Sequence, residues 1–239
     1  MKESGLPAAV IFDFDGVLAD TEPLHCRAFQ FAAATIGQSL SPDDYYRQFL
    51  RLTDRECLAE LCRRGQVAPT AATLDSLLQR KRSRYAQLLD DATLFAGMEE
   101  VLRKLREVTV LAIASGAFRD EIDVVLAGAG VADRFAVIVS AEDVQAGKPA
   151  PDGFLCALRR INADRTAASR AAAITAAQCV VVEDSPRGIA AAHAAGMRCI
   201  GVMTTQSRAA LAGADLVIDH ARNLRRDHLL AALRESTQS

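Results

Sequence analysis

Val10-Ile11-Phe12-Asp13-Phe14-Asp15-Gly16-Val17-Leu18 changes character within a few positions: an apolar run ends in an acid, a second acid follows two residues later, and a glycine comes next. A short Val/Ile-rich run bounded in this way reads as a buried strand, and Gly16 permits a sharp turn after it. Two carboxylates so close repel each other unless a cation lies between them or one keeps its proton. Either outcome is useful for catalysis.

Runs of the same kind recur along the chain at 8–14, 108–115, 136–140, 179–183, 198–202 and 216–219, and they read as buried parallel strands. Helical patterns lie between them at 98–107, 118–129, 151–160, 186–195 and 224–234, the alternation of an open α/β sheet. After the first strand the alternation fails. Residues 22–91 carry only helical stretches, near 23–36, 43–50, 54–64 and 73–90. A crossover needs about a dozen residues and one helix, so an inserted helical domain is predicted. The expected division is a core of residues 1–20 and 92–239 with an inserted cap at 21–91. The insertion is rich in arginine, which for most members reads as a solvated face. The Ala-rich stretch 162–178 reads as one extra short helix before the fourth strand.

In open α/β sheets ligands bind at the carboxyl ends of strands, and four such ends are polar. The first holds Asp13 and Asp15. The second reads Ala114-Ser115-Gly116-Ala117, where a hydroxyl and backbone N–H groups at a helix start can hold a phosphate, although Ser is also a common N-cap. The third is followed by Gly147-Lys148-Pro149-Ala150-Pro151-Asp152, a lysine set in a stiff loop. The fourth ends in Val182-Glu183-Asp184-Ser185-Pro186-Arg187-Gly188, a second acidic pair after a buried run. Together they offer carboxylates for a divalent cation, a carboxylate nucleophile, a hydroxyl and a lysine. Oxygen ligands suit Mg²⁺ rather than zinc. A carboxylate needs no deprotonation to attack phosphorus, so phosphoryl transfer through an aspartyl-phosphate is the natural reaction.

In order and spacing these motifs resemble the haloacid dehalogenase-like superfamily, over nearly the whole chain. The fold that the resemblance implies is α/β, a Rossmann-like parallel sheet core with an inserted helical cap domain. It implies Asp13 as nucleophile and Asp15 as the general acid and then base. Asp13, the main-chain carbonyl of Asp15 and Asp184 would ligate Mg²⁺, with Glu183 a further ligand or a partner of metal-bound water. Ser115, the Gly116 N–H and Lys148 would hold the transferring phosphoryl group. The stretch from Asp20 to Phe29 looks like the beta-phosphoglucomutase and sugar-phosphatase branch, in which His25 lies near hinge and substrate and Lys81 resembles a substrate-facing cap lysine. Arg51 is a further candidate substrate contact. Mutases tend to carry Gly-Val-Ser-Arg in the cap, whereas this chain reads Arg51-Leu52-Thr53-Asp54. The expected activity is therefore hydrolysis of a small phosphorylated metabolite, with a sugar-phosphate mutase as the alternative and a phospho-accepting regulatory module as a remote one.

Composition narrows the classes further. Among 239 residues, Lys+Arg 28 against Asp+Glu 30 leaves no basic excess for a nucleic acid. Apolar stretches fall far short of the ~20 residues that span a bilayer. With no signal-peptide pattern at the start and six scattered cysteines lacking any CxxC pair, a cytoplasmic protein with reduced thiols is expected, a monomer or weak dimer.

Overall fold

The computed structural model describes residues 5–50, 52–169 and 172–234. The chain divides into two compact units, Met1–Asp20 with Thr93–Ser239, and Thr21–Ala92. Strand β1, Ala9–Phe12, belongs to the first and leads into the second, which is helical: α1 Glu22–Ala34, α2 Pro42–Asp44 running into a π-helical turn at Tyr45–Phe49, α3 Asp54–Arg64 and α4 Ala71–Ala86. Local chemistry sets the helix starts. Thr53 forms a capping box with Glu56, its backbone N–H donating to the carboxylate at 2.7 Å while its hydroxyl accepts from the Glu56 N–H at 3.3 Å. The Thr70 hydroxyl caps α4 through the Thr73 N–H. Phe29, Tyr45, Phe49, Leu58, Leu61 and Leu77 form the core of this unit.

The α/β unit continues with α5 Met98–Arg106, β2 Val110–Ala114, α6 Arg119–Gly128, β3 Val137–Val139, α7 Asp152–Ser169, β4 Cys179–Glu183, α8 Pro186–Ala194, β5 Arg198–Val202, β6 Leu216–Ile218 and α9 Arg226–Leu233. Helix α5 buries Met98, Val101, Leu102 and Leu105 along one stripe, with acids in its first turn and bases in its last. All strand pairs are parallel, in the order β3-β2-β1-β4-β5-β6. This is a Rossmann-like sheet with the helical unit inserted after its first strand. Strands β1 and β4 have no exposed residue, because helices cover both faces of a parallel sheet.

The order reverses direction at β1 and β4: from β1 the chain steps outward to β2 and β3, then returns to β1's other edge. The carboxyl ends of these two adjacent strands are thus the switch point at which such sheets bind ligands.

One expectation is corrected. The start of the Ala-rich stretch is part of α7, which runs without a break to Ser169, and among the described residues between α7 and β4 a 3₁₀ turn forms at Ala176–Gln178. Asn162, a residue that favours helix ends, is tolerated within α7 because its amide bonds both backbone groups of Ile174, donating to the carbonyl at 2.9 Å and accepting from the N–H at 2.7 Å. Among the described residues no helix is long and apolar enough to cross a membrane.

Candidate active site

The Asp13 N–H donates to the Val182 carbonyl at 3.0 Å, continuing the β1–β4 ladder by one step past the strand end. That bond sets Asp13 beside the acidic pair closing β4, and carboxylate oxygens of Asp13, Glu183 and Asp184 lie within 4.8 Å of one another. All three residues are buried. Lys148 enters the same group from the loop before α7. Its Nζ lies 2.7 Å from Asp13 Oδ1 and also pairs with Glu183 Oε1. The Lys148 ammonium is thus the charge partner of Asp13 Oδ1, a buried oxygen.

Glu183 is the best satisfied of the three acids. Besides Lys148, its other oxygen accepts from the Asp184 N–H at 2.8 Å, the Ser185 N–H at 2.9 Å and the Ser185 hydroxyl at 2.9 Å. Gly188 makes room for it, since a Cβ there would overlap the carboxylate. With both oxygens engaged, Glu183 orients Lys148. Arg187 fixes the same lysine from behind, its guanidinium donating to the Lys148 carbonyl at 3.1 and 2.6 Å.

Burial raises the Asp13 carboxyl to about 7, with Lys148 pulling it down and Glu183 and Asp15 pushing it back up. Burial also disfavours the Lys148 ammonium, but Asp13 and Glu183 outweigh this and hold it charged beyond the ordinary lysine range. Three buried carboxylates against one ammonium leave negative charge uncompensated. An all-oxygen cluster with that imbalance fits a hard divalent cation such as Mg²⁺.

The remaining core candidates occupy neighbouring strand ends. Asp15, half-buried, lies on the turn after β1, and its side chain is outside the three-carboxylate group. Gly16 takes φ +71°, a left-handed conformation natural to glycine, and packs against Asp184 so closely that a Cβ would overlap it. Ser115 ends β2, is buried, and accepts from the Ala117 N–H at 3.1 Å; Gly116 beside it faces open space. Thr205, beyond β5, donates its hydroxyl to Asp184 Oδ2. Neither Thr205 nor Arg187 is marked as a site residue by any local sequence pattern.

In the helical unit the structure brings His25 and Lys81 together. Lys81 is buried, and its Nζ lies 2.9 Å from His25 Nδ1 and 2.9 Å from Asp54 Oδ2. Lysine is only a donor, so the His25 ring in this contact accepts at Nδ1 and carries its proton on Nε2. The ring stacks on Tyr85 with centroids 4.2 Å apart. Burial disfavours the Asp54 carboxylate, yet the Lys81 ammonium outweighs it and holds the group below its ordinary value. Arg51 lies outside the described residues. Its neighbour Arg55 is paired with Asp75 at 2.7 Å.

The family model for haloacid dehalogenase-like hydrolases matches residues 10–202. The chain is 32% identical over 241 residues to SUPPRESSOR OF QUENCHING 1, chloroplastic, of Arabidopsis thaliana, covering 98% of this chain but only 22% of that protein. It is 30% identical over 198 residues to the phosphorylated carbohydrates phosphatase of Thermotoga maritima, with 82% of this chain and 85% of the relative covered. Among solved structures, CbbY from Rhodobacter sphaeroides in complex with phosphate is similar at 27% identity with a TM-score of 0.74, covering 92% of this chain and 96% of the other.

Proposed function

The chain belongs to the haloacid dehalogenase-like hydrolases, and on that premise we propose that it is a Mg²⁺-dependent phosphatase of a small phosphorylated metabolite of the sugar-phosphate class. The observation that carries the reading is the pairing of Asp13 with Lys148 at 2.7 Å inside the buried acidic cluster. An anionic nucleophile there can approach a phosphate dianion, because the ammonium offsets the repulsion between them.

Asp13 attacks phosphorus, the ester P–O bond breaks, and Asp15 gives its proton to the departing alkoxide, leaving an aspartyl-phosphate and a free alcohol. Asp15 then takes a proton from water as that water attacks phosphorus. The Asp13–phosphorus bond breaks, inorganic phosphate leaves, and both aspartates return to their starting states. Lys148, the Ser115 hydroxyl and the Gly116 N–H hold the phosphoryl oxygens, and Glu183 and Arg187 keep Lys148 in place. Asp13, Asp184 and the Asp15 carbonyl would hold Mg²⁺, which would supply charge neutralisation when bound.

Water as the second acceptor, rather than a second sugar, is supported by the helical unit. Asp54, at the position where mutases tend to carry arginine, is an acid paired with Lys81, so that position offers no cation for a second phosphate. His25 and Lys81 are proposed as substrate-recognition residues, together with Arg51. A relative that is a phosphorylated carbohydrates phosphatase supports the substrate class. A cytoplasmic location and a monomer or weak dimer complete the reading, and the six buried, unpaired thiols support the first.

The test is phosphate release from a panel of phosphorylated metabolites with Mg²⁺, comparing wild type with Asp13→Asn. Release by wild type alone is expected. Near-normal turnover by Asp13→Asn would refute the nucleophile, and conversion of a hexose 1-phosphate to its 6-phosphate without phosphate release, followed by ³¹P NMR, would replace the phosphatase with a mutase.

A further inference from the structure

We propose that Thr205 is a positioning residue that holds Asp184 in the orientation needed to bind the divalent cation. The inference rests on the cation site proposed above and adds a residue from a strand crossover that contributes no carboxylate to it.

Thr205 lies on the turn after β5, half-buried. Its hydroxyl donates to Asp184 Oδ2, and the Asp184 main-chain carbonyl is a second, longer acceptor at 3.3 Å. The same side chain meets the first strand end. A Cβ built on Gly16 would come within 2.9 Å of Thr205 Cγ2, besides overlapping Asp184 itself. Thr205 therefore touches both elements that must be kept in register for Asp13 and Asp184 to share one ion: the turn after β1 with its methyl group and the end of β4 with its hydroxyl. A β-branched side chain is stiff at χ1, so this double contact transmits little slack. A donor on Oδ2 restricts rotation of the Asp184 carboxylate before a cation arrives. Partners of this kind around ligating carboxylates commonly change metal affinity by ~10–100-fold.

The test uses EDTA-stripped full-length protein and Mn²⁺ alone as the probe, with binding read by calorimetry and by loss of the free-ion EPR signal, so that no turnover is required. Thr205→Val keeps the shape and removes the hydroxyl; Thr205→Ser keeps the hydroxyl and removes the methyl. The expected result is 1:1 binding by wild type, a Kd raised roughly tenfold or more in Thr205→Val, and rescue to within about threefold in Thr205→Ser. If Thr205→Val does not fold, Thr205→Ala carries the same expectation. Unchanged affinity in the variant lacking the hydroxyl, or equal loss in Thr205→Ser, overturns the positioning role while leaving the cation site standing. Absence of binding by wild type overturns the cation site and the proposal with it.

Discussion

Gly188→Ala sets two physical effects against each other with opposite signs. Gly188 sits in the first turn of α8, and exchanging a helical glycine for alanine ordinarily stabilises by up to ~1 kcal/mol. Here the new Cβ would fall on the Glu183 carboxylate. A flexible surface acid would swing aside, but this one is fully buried and held by Lys148, two backbone N–H groups and the Ser185 hydroxyl. Overpacking costs ~1–3 kcal/mol, and losing at least one charge-assisted hydrogen bond adds ~1.5–3 kcal/mol. After subtracting the propensity gain, a net loss of ~1.5–5 kcal/mol is expected. At ~2–4 °C per kcal/mol for a chain of this size, that is a fall in Tm of about 3–20 °C. Gly128→Ala is the matched control: Gly128 ends α6, and a Cβ there meets nothing within 4 Å, so the control should be neutral or slightly more stable. Thermal and urea unfolding of both variants decides the matter. Gly188→Ala as stable as wild type, or more stable, would refute the view that Glu183 is locked against the helix.

Asp15→Asn should slow both leaving-group departure and hydrolysis of the intermediate, by ~10²–10⁴ in single-turnover assays. Chelation should stop turnover, Mg²⁺ should restore it, and Ca²⁺ should inhibit through its larger, looser shell, all followed by phosphate release. Asp215 is a pH probe away from the site: burial pushes its carboxyl up, but the Cys199 N–H, His193 and Arg198 outweigh this and hold it below 3.8. A depressed carboxyl stabilises the fold fully above its unfolded value and stops doing so as pH falls through the folded one. The stability gap between wild type and Asp215→Asn, measured by urea midpoints, should therefore be complete above pH 3.8 and shrink as the pH drops further.

Strands β4 and β5 were legible to the residue, β4 as an apolar run closed by charge and β5 as an apolar run opened by one. Asp13, Glu183 and Asp184 were legible as acids that close apolar runs, and Lys148 as a lysine set in a proline-flanked loop. What was not legible depends on pairing across long separations. Glu183 reads as an acid at a strand end, and its pairing with Lys148, 35 residues earlier, is not written in that local pattern. Asp54 reads as a lost mutase arginine until Lys81, 27 residues later, is seen to need a counter-charge. Thr205 carries no local mark, since its significance is its contact with Asp184, 21 residues away. Helix α7 was read to 160, with 162–178 as a separate short helix, and the Ile174 backbone that accommodates Asn162 within it lies beyond the helix.

The strand order also dictates a timetable for a growing chain. Ala9 pairs with Val110 on one edge and with Cys179 on the other, so β1, which precedes both partners in the chain, stays open on one edge until β2 is made and on the other until β4 is made. The helical unit lies wholly within that waiting period, and contacts close in sequence form early. It can consolidate while the strand bearing the nucleophile still has two open edges, the state most exposed to mispairing. A nascent chain arrested before β4 would display a finished helical unit and an unfinished sheet.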